Sequence, residues 1–278
     1  MKIESLSDQP AMLGEGIFFD DETNYIYWID IINSKIYRKN VVNEGAPIQE
    51  FSVGYMPSAI LEVSDDVITF IDRTGLCEFD IKKQVYNSIL LTPYLAQSEF
   101  FRANDGVKLI NGLILYGTMQ IEPDNKKGSL ICCSREGIIS HIHNEIFIPN
   151  SFIEVDDKVI ISDSLIGEAF VYTIKNGKLK KVGLWSNFSS CIGKPDGGCI
   201  DIQGNIYLAF WDGYAIYKFD RDGKVLEKIE LPVPRPTNCV VVGSSLYVTS
   251  AMVGLSEIEL EEYPKSGHLL KVELGESK

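Results

Sequence analysis

A pair of short strands recurs six times along this chain, and that repetition restricts the possible folds more than any other feature. Each pair is an apolar and aromatic run, often ending in Asp or Ser, then a polar turn and a second run. The pairs fall at Ile26–Asp30 with Lys35–Arg38, Val67–Asp72 with Leu76–Asp80, and Leu113–Gly117 with Ser129–Cys133. They return at Val159–Asp163 with Ala169–Thr173, Ile206–Phe210 with Ala215–Asp220, and Leu246–Ser250 with His268–Val272. Units repeating at roughly 40 to 47 residues predict propeller blades. The expected fold is all-β, a six-bladed β-propeller with about four antiparallel strands per blade. The first strand of each pair is expected at an inner or middle position and the second at an outer one. No stretch shows a helical period, and no linker divides residues 1–278, so the chain reads as one propeller domain. The ring must close, so residues before Glu15 are expected to add a strand to the last blade. A functional site is expected in the loops around the mouth of the central channel.

The chain carries 26 Lys and Arg against 39 Asp and Glu, a net charge of −13. A polyanion has no electrostatic route to phosphate backbones or anionic membranes, so neither nucleic acid nor membrane is an expected partner. The six cysteines (Cys77, Cys132, Cys133, Cys191, Cys199 and Cys239) form no Cys-x-x-Cys pair and fit no zinc framework. Residues 1–16 lack an apolar core of signal-peptide length, and no run approaches the roughly 18 apolar residues of a membrane span. These features predict a cytoplasmic protein with free, mostly buried thiols. Nothing singles out an oligomeric interface.

Candidate site residues lie in short polar segments. Leu13-Gly14-Glu15-Gly16 holds a carboxylate between two glycines, which can take backbone angles closed to other residues. Further along stand Arg102-Ala103-Asn104-Asp105-Gly106, Gly117-Thr118-Met119 with Glu122, Pro149-Asn150, Ser162-Asp163-Ser164, Pro195-Asp196-Gly197-Gly198 and Arg235-Pro236-Thr237-Asn238. Singly, the Asn-Asp-Gly, Pro-Asn-Ser and Pro-Asp-Gly segments are ordinary turns. In this order, on a chain of this period, they resemble the SGL family of regucalcin, gluconolactonase and luciferin-regenerating enzyme, over nearly the whole length.

The resemblance implies a divalent ion held by Glu15, Asn150 and Asp196, and substrate contacts from Arg102, Asn104 and Glu122. Two carboxylates and an amide oxygen suit a hard cation such as calcium, magnesium or manganese; zinc would be held less selectively. Arg102 offers a planar fork of donors, and Asn104 can both donate and accept. The implied activity is a metal-dependent hydrolase opening a sugar lactone, with Asp196 as the base that activates water. The same site could serve an organophosphate or another ester, and a calcium-binding propeller without turnover is the alternative from a different class. The chain departs from the family pattern at Ile17, Phe19 and Ser151, which are expected to alter loop packing. It departs also at Lys108, which is expected to weaken any secondary cation site nearby.

Other residues are expected to be structural. Asp30, Asp72, Asp163 and Asp201 read as side chains tying loops together. His141 and His143 share one strand face, read as solvated. No Gly-x-Ser-x-Gly or phosphate-cradling Gly-x-x-x-x-Gly-Lys is present.

Overall fold

The computed structural model describes residues 1–43, 45–92, 95, 98–123 and 126–275. The chain opens with β1 (Ile3–Ser5) and then lays down blades of four consecutive strands. The first is β2 (Gly14–Asp20), β3 (Tyr25–Asp30), β4 (Lys35–Asn40) and β5 (Gln49–Ser52). The second is β6 (Ala59–Ser64), β7 (Val67–Asp72), β8 (Gly75–Asp80) and β9 (Val85–Leu91). The third is β10 (Phe101–Lys108), β11 (Ile114–Gln120), β12 (Gly128–Cys133) and β13 (Ile139–Ile146). The fourth is β14 (Pro149–Val155), β15 (Lys158–Asp163), β16 (Glu168–Lys175) and β17 (Lys178–Asn187). The fifth is β18 (Lys194–Ile200), β19 (Ile206–Trp211), β20 (Ala215–Phe219) and β21 (Val225–Glu230). The sixth takes β22 (Pro236–Val242), β23 (Ser245–Ser250) and β24 (Leu270–Glu273) from the C-terminal end. Its fourth strand is β1, paired antiparallel to β24. The six antiparallel sheets are the six-bladed propeller expected from the repeat.

Both faces of a blade are covered by neighbouring blades, so the middle strands read as continuous apolar runs rather than alternating ones. In β3, Tyr27 and Ile29 pack toward the second blade with Ile60, Ile68 and Phe70. Ile26 and Trp28, pointing the other way, pack with Tyr247 and Leu269 of the sixth blade. The adjacent cysteines of β12 divide likewise, Cys132 toward the fourth blade and Cys133 toward the second. Fully burying one such side chain stabilises the fold by about 1.5–3 kcal/mol.

The strand pairs legible in the sequence are the second and third strands of each blade. The second member of each pair is therefore a middle strand, not an outer one. Outer strands are more exposed and polar, as in β9 and β21, which is why they escaped the apolar pattern. A helix also stands where none was expected: α1 (Glu257–Glu262) lies between β23 and β24. Its start is fixed by a capping box in which Ser256 and Glu259 exchange side-chain to backbone bonds. His143 is not on a solvated face; it is half-buried with its ring 6.0 Å from that of Tyr172 in an edge-on contact.

Aspartates at the ends of second strands hold one end of the propeller in shape. Asp30 accepts from the backbone of Met12 at 2.8 Å and from the amide of Asn33 at 2.7 Å. Asp72 accepts from Thr74 N–H at 2.7 Å and Tyr86 hydroxyl at 2.8 Å. Asp163 accepts from Phe147 N–H at 2.9 Å. Asp30 and Asp163 thus tie the segment leading into a blade's innermost strand to the turn after its second strand. Asp201 closes its own turn by accepting from Asn205 N–H at 2.8 Å.

Closure rests on contacts between distant parts of the chain. Besides β1 on β24, Leu13 bridges to Ala251, and the Thr237 hydroxyl donates to the Gly14 carbonyl at 2.5 Å. Deleting residues 1–6 would turn β24 into an exposed edge and uncover apolar surface at Val272. The truncated protein is expected to lose about 2–4 kcal/mol, read as a lower midpoint in urea, and to self-associate. An unchanged midpoint would show that β1 does not lock the ring.

Candidate active site

The sequence-predicted residues converge at one end of the propeller axis, on strands rather than in loops. Glu15, Arg102 and Asn150 are each the second residue of an innermost strand, and Asp196 is the third. Each of the six innermost strands carries a register shift. In β2, Glu15 faces Ile29 but Phe18 faces Tyr27; in β14, Asn150 faces Ser162 but Ile153 faces Ile160. In β18, Pro195 faces Phe210 but Gly198 faces Leu208. A bulge adds a residue, bends the strand and re-aims the side chains beside it. The backbone follows the bulge: Gly16 takes φ 54°, open to a glycine, and Ser151 is strained at φ 56°. Gly197 is required by close approach, since a Cβ there would lie 2.2 Å from the Asn238 side chain.

Glu15, Arg102, Asn104, Asn150 and Asp196 line a single cavity of about 460 Å³. Glu122 does not line it; that side chain is exposed at the rim, while Ile121 and Pro123 on either side do line it. Ser164, which lies in one of the candidate segments but carried no assigned role, and Lys194, outside them, also line the cavity.

A hydrogen-bond chain joins three blades at the cavity floor. The Arg102 guanidinium donates through Nη1 to the Ala103 carbonyl at 2.9 Å and to Asn104 Oδ1 at 2.7 Å. Asn104 Nδ2 donates to the Pro149 carbonyl at 3.0 Å and to Asn150 Oδ1 at 2.8 Å. Asn150 Nδ2 donates to Ser164 Oγ at 2.8 Å, which donates to the Pro195 carbonyl at 2.5 Å. Both amide protons of Asn104 are therefore spent on the fourth blade, and its geometry is that of a residue orienting Asn150. Ser151 is a further link. Its hydroxyl donates to the Asp196 carbonyl and accepts from Ser162 Oγ at 2.9 Å. At this position the departure from the family's glycine does more than alter packing, because it ties the strand of Asn150 to that of Asp196.

Three carboxylates are buried together against one guanidinium. Asp105 lies just beyond the cavity floor, lining a separate space of about 200 Å³, and accepts from Gly106 N–H at 2.8 Å. Burial pushes its carboxyl up to about 6, against backbone N–H donors from Gly106, Ser151 and Phe152. Glu15 is raised well above the usual range by burial, then by Asp196 and Asp105, with Arg102 opposing. Asp196 is raised likewise by burial and Asp105. Burial lowers Arg102 to about 10, against the pull of Glu15 and Asp196. When ionised, the group carries an excess of two negative charges in a place that solvates charge poorly. That excess, with an amide oxygen beside it, fits a divalent cation. No cluster of three His, Cys, Asp or Glu side chains in ligating position occurs among the described residues.

Residues 13–252 match the model of the SMP-30/Gluconolactonase/LRE-like region. The chain belongs to this family. Regucalcin of Gallus gallus is 28% identical over 98% of this chain and 94% of its own length. L-arabinolactonase of Azospirillum brasilense is 27% identical over 94% of this chain and 88% of its own. The crystal structure of a calcium-binding protein, regucalcin, from Agrobacterium tumefaciens superposes with a TM-score of 0.88. It is 23% identical and covers 98% of this chain and 92% of that one, a likeness that establishes the shared fold.

The family departures have distinct surroundings here. Ile17 and Phe19 pack against the cluster between the sixth and first blades. Lys108 pairs with Glu62, placing an ammonium near the far end of the innermost strands.

The buried carboxyls set a pH dependence. Asp105 has a higher pKa folded than unfolded, where aspartate titrates near 3.9. The folded state therefore holds a proton that the unfolded chain releases. That stabilisation is complete below about pH 4 and is lost as the pH rises through about 6. Glu15 and Asp196 act in the same direction. Chelator-treated protein is expected to show a falling Tm between about pH 4 and 7, and Asp105→Asn is expected to flatten the fall. A Tm that rises across this window in chelator-treated wild type would contradict the assignment.

Proposed function

We propose that this protein is a lactonase, a hydrolase that opens a cyclic ester, and that it works with a divalent ion. The observation that carries the reading is the group of buried carboxylates, Glu15 and Asp196 in the cavity with Asp105 just beyond, for which Arg102 is the one buried cation among the described residues. A relative named L-arabinolactonase, 27% identical over nearly the full chain, supports the lactone class. Sugar lactones are the substrates the sequence resemblance implies. The six thiols, all free among the described residues, fit a reducing compartment such as the cytoplasm. No helix among the described residues is long and apolar enough to cross a membrane.

In this reading Glu15, Asn150 and Asp196 hold the ion, with calcium, magnesium, manganese and zinc as candidates. When bound, such an ion supplies Lewis acidity toward a carbonyl. The chain's own groups do the rest. Asp196, raised by burial, takes the proton of the attacking water if one of its oxygens is left free. Arg102 has spent Nη1 on the chain; with respect to the described residues, Nε and Nη2 remain for an oxygen of the substrate. Asn104 holds Asn150 in orientation, and Ser151 fixes the backbone of Asp196. Glu122, exposed and outside the cavity lining, would reach a substrate only if that substrate extends past the rim.

Two experiments test these roles. Holding and proton transfer separate at saturating metal, with proton release as the readout. Glu15→Gln is expected to need more metal yet recover much of the wild-type kcat. Asp196→Asn is expected to stay at least about 100-fold down at any metal concentration. Equal recovery of both variants would remove Asp196 from the chemistry. Asn104→Ala is expected to weaken metal affinity about 10- to 100-fold by freeing Asn150, measured by calorimetry. Unchanged affinity would return Asn104 to substrate contact alone.

A further inference from the structure

The cavity has a polar floor and an apolar rim, and the rim is built at repeated positions of the fold. The turn after a blade's second strand contributes Ile32 in the first blade, Ile121 in the third and Leu165 in the fourth. Trp211 closes the second strand of the fifth blade, and Val253 follows that of the sixth. Met56, in the connection between the first and second blades, also lines the cavity. Five of the six blades thus present an apolar side chain at the same end. Two of these are large hydrophobic side chains left in water: Ile32 is 43% exposed and Leu165 is 37% exposed. Trp211 is held by the Arg235 guanidinium, 4.9 Å from its ring centre. Arg235 is itself anchored to Asp212 at 2.6 Å.

The neutral polar groups of the floor are committed to the chain, which leaves Glu15, Asp196 and the remaining donors of Arg102 for the ion and the ester. Asn104 donates both amide protons to the fourth blade, and Asn150 and Ser164 continue the same chain of bonds. Lys194, at the rim, donates to the Leu165 carbonyl at 3.2 Å. A lactone with hydroxyls around its ring would set several of them against apolar side chains, where an unpaired hydroxyl is costly. An apolar substituent in the same place would remove from water the surface that Ile32 and Leu165 now expose. A cavity of about 460 Å³ is in the range that takes a ligand larger than a bare lactone ring.

We infer that the preferred substrate is a lactone with an apolar alkyl or aryl substituent, its ester on the polar floor and its substituent against Ile32, Leu165, Trp211 and Val253. This rests on the lactonase reading and narrows its substrate class away from polyhydroxylated lactones.

The test measures proton release by metal-loaded protein on γ-butyrolactone, γ-hexanolactone, γ-octanolactone and an aldono-γ-lactone. The expected result is that kcat/KM rises about fourfold per added methylene and that γ-octanolactone exceeds the aldonolactone at least tenfold. Leu165→Asn is expected to lower the ratio of γ-octanolactone to γ-butyrolactone, mainly through KM. An aldonolactone opened faster than any alkyl lactone, or a flat alkyl series, overturns the inference and leaves the lactonase reading standing. Hydrolysis of none of them by folded, metal-loaded protein overturns both.

Discussion

The β-bulges of the innermost strands are the constraint on which the rest of this structure depends. A regular strand alternates its side chains, which would send neighbours of Glu15, Asn150 and Asp196 to opposite faces. One extra residue follows Glu15 and Asn150, and in β18 Asp196 lies within the bulge itself; in each case the strand bends and the polar side chain turns onto the axis. The cost is a left-handed backbone, which Gly16 adopts freely and Ser151 bears as strain. At Ser151 the strain is offset by hydrogen bonds: its hydroxyl bridges Ser162 to the Asp196 carbonyl, and its backbone N–H faces Asp105. Strain and charge therefore accumulate in the same few residues, and the packed blade interfaces on either side keep them there.

Electrostatics follows from this geometry. Bulges on separate blades bring carboxylates together that are distant in sequence, and burial denies them water. One guanidinium cannot neutralise three carboxylates, so the metal-free site favours protons on Asp105, Glu15 and Asp196. A divalent ion would compete with those protons, which couples metal affinity to pH. The hydrogen bonds at the floor run among neutral amides, hydroxyls and backbone carbonyls, with Arg102 at one end. They orient Asn150 and Asp196 without adding another formal charge.

Much of this was legible in the sequence. The six strand pairs announced the blades because the middle strands are buried on both faces and so stay apolar throughout. The closing strand was legible because Glu15 comes so early that something before it must complete the ring. Outer strands were not legible, since half-exposed segments such as Val85–Leu91 follow no clean pattern. The helix at Glu257–Glu262 is a single capped stretch without buried residues, too short to show a period, although its Ser-x-x-Glu start was there to be read. At the site, the family resemblance pointed to Glu15, Asn150 and Asp196, and the fold gathers them. What sequence could not show is how hydrogen-bond capacity is spent. Asn104 has the chemistry of a sugar contact until its two donors are traced to the fourth blade. The part played by Ser164 depends on a contact with Pro195 across 31 residues.

Floor and rim obey different rules, and this bears on how such a site changes. A floor residue is bound to others by bulge geometry, close approach and shared hydrogen bonds. Gly197, for example, has no room for a Cβ beside Asn238. Altering one therefore disturbs several. Two rim residues, Ile32 and Leu165, sit in turns whose backbone is already held by a buried aspartate: Asp30 holds the turn at Asn33 and Asp163 the turn at Leu165. The side chains of Ile32 and Leu165 can then vary while the backbone beneath them stays fixed. On the proposed reading, reaction class lies with strands that resist change and substrate choice with turns that tolerate it. An apolar rim over a charged floor is the form that this division takes in the present chain.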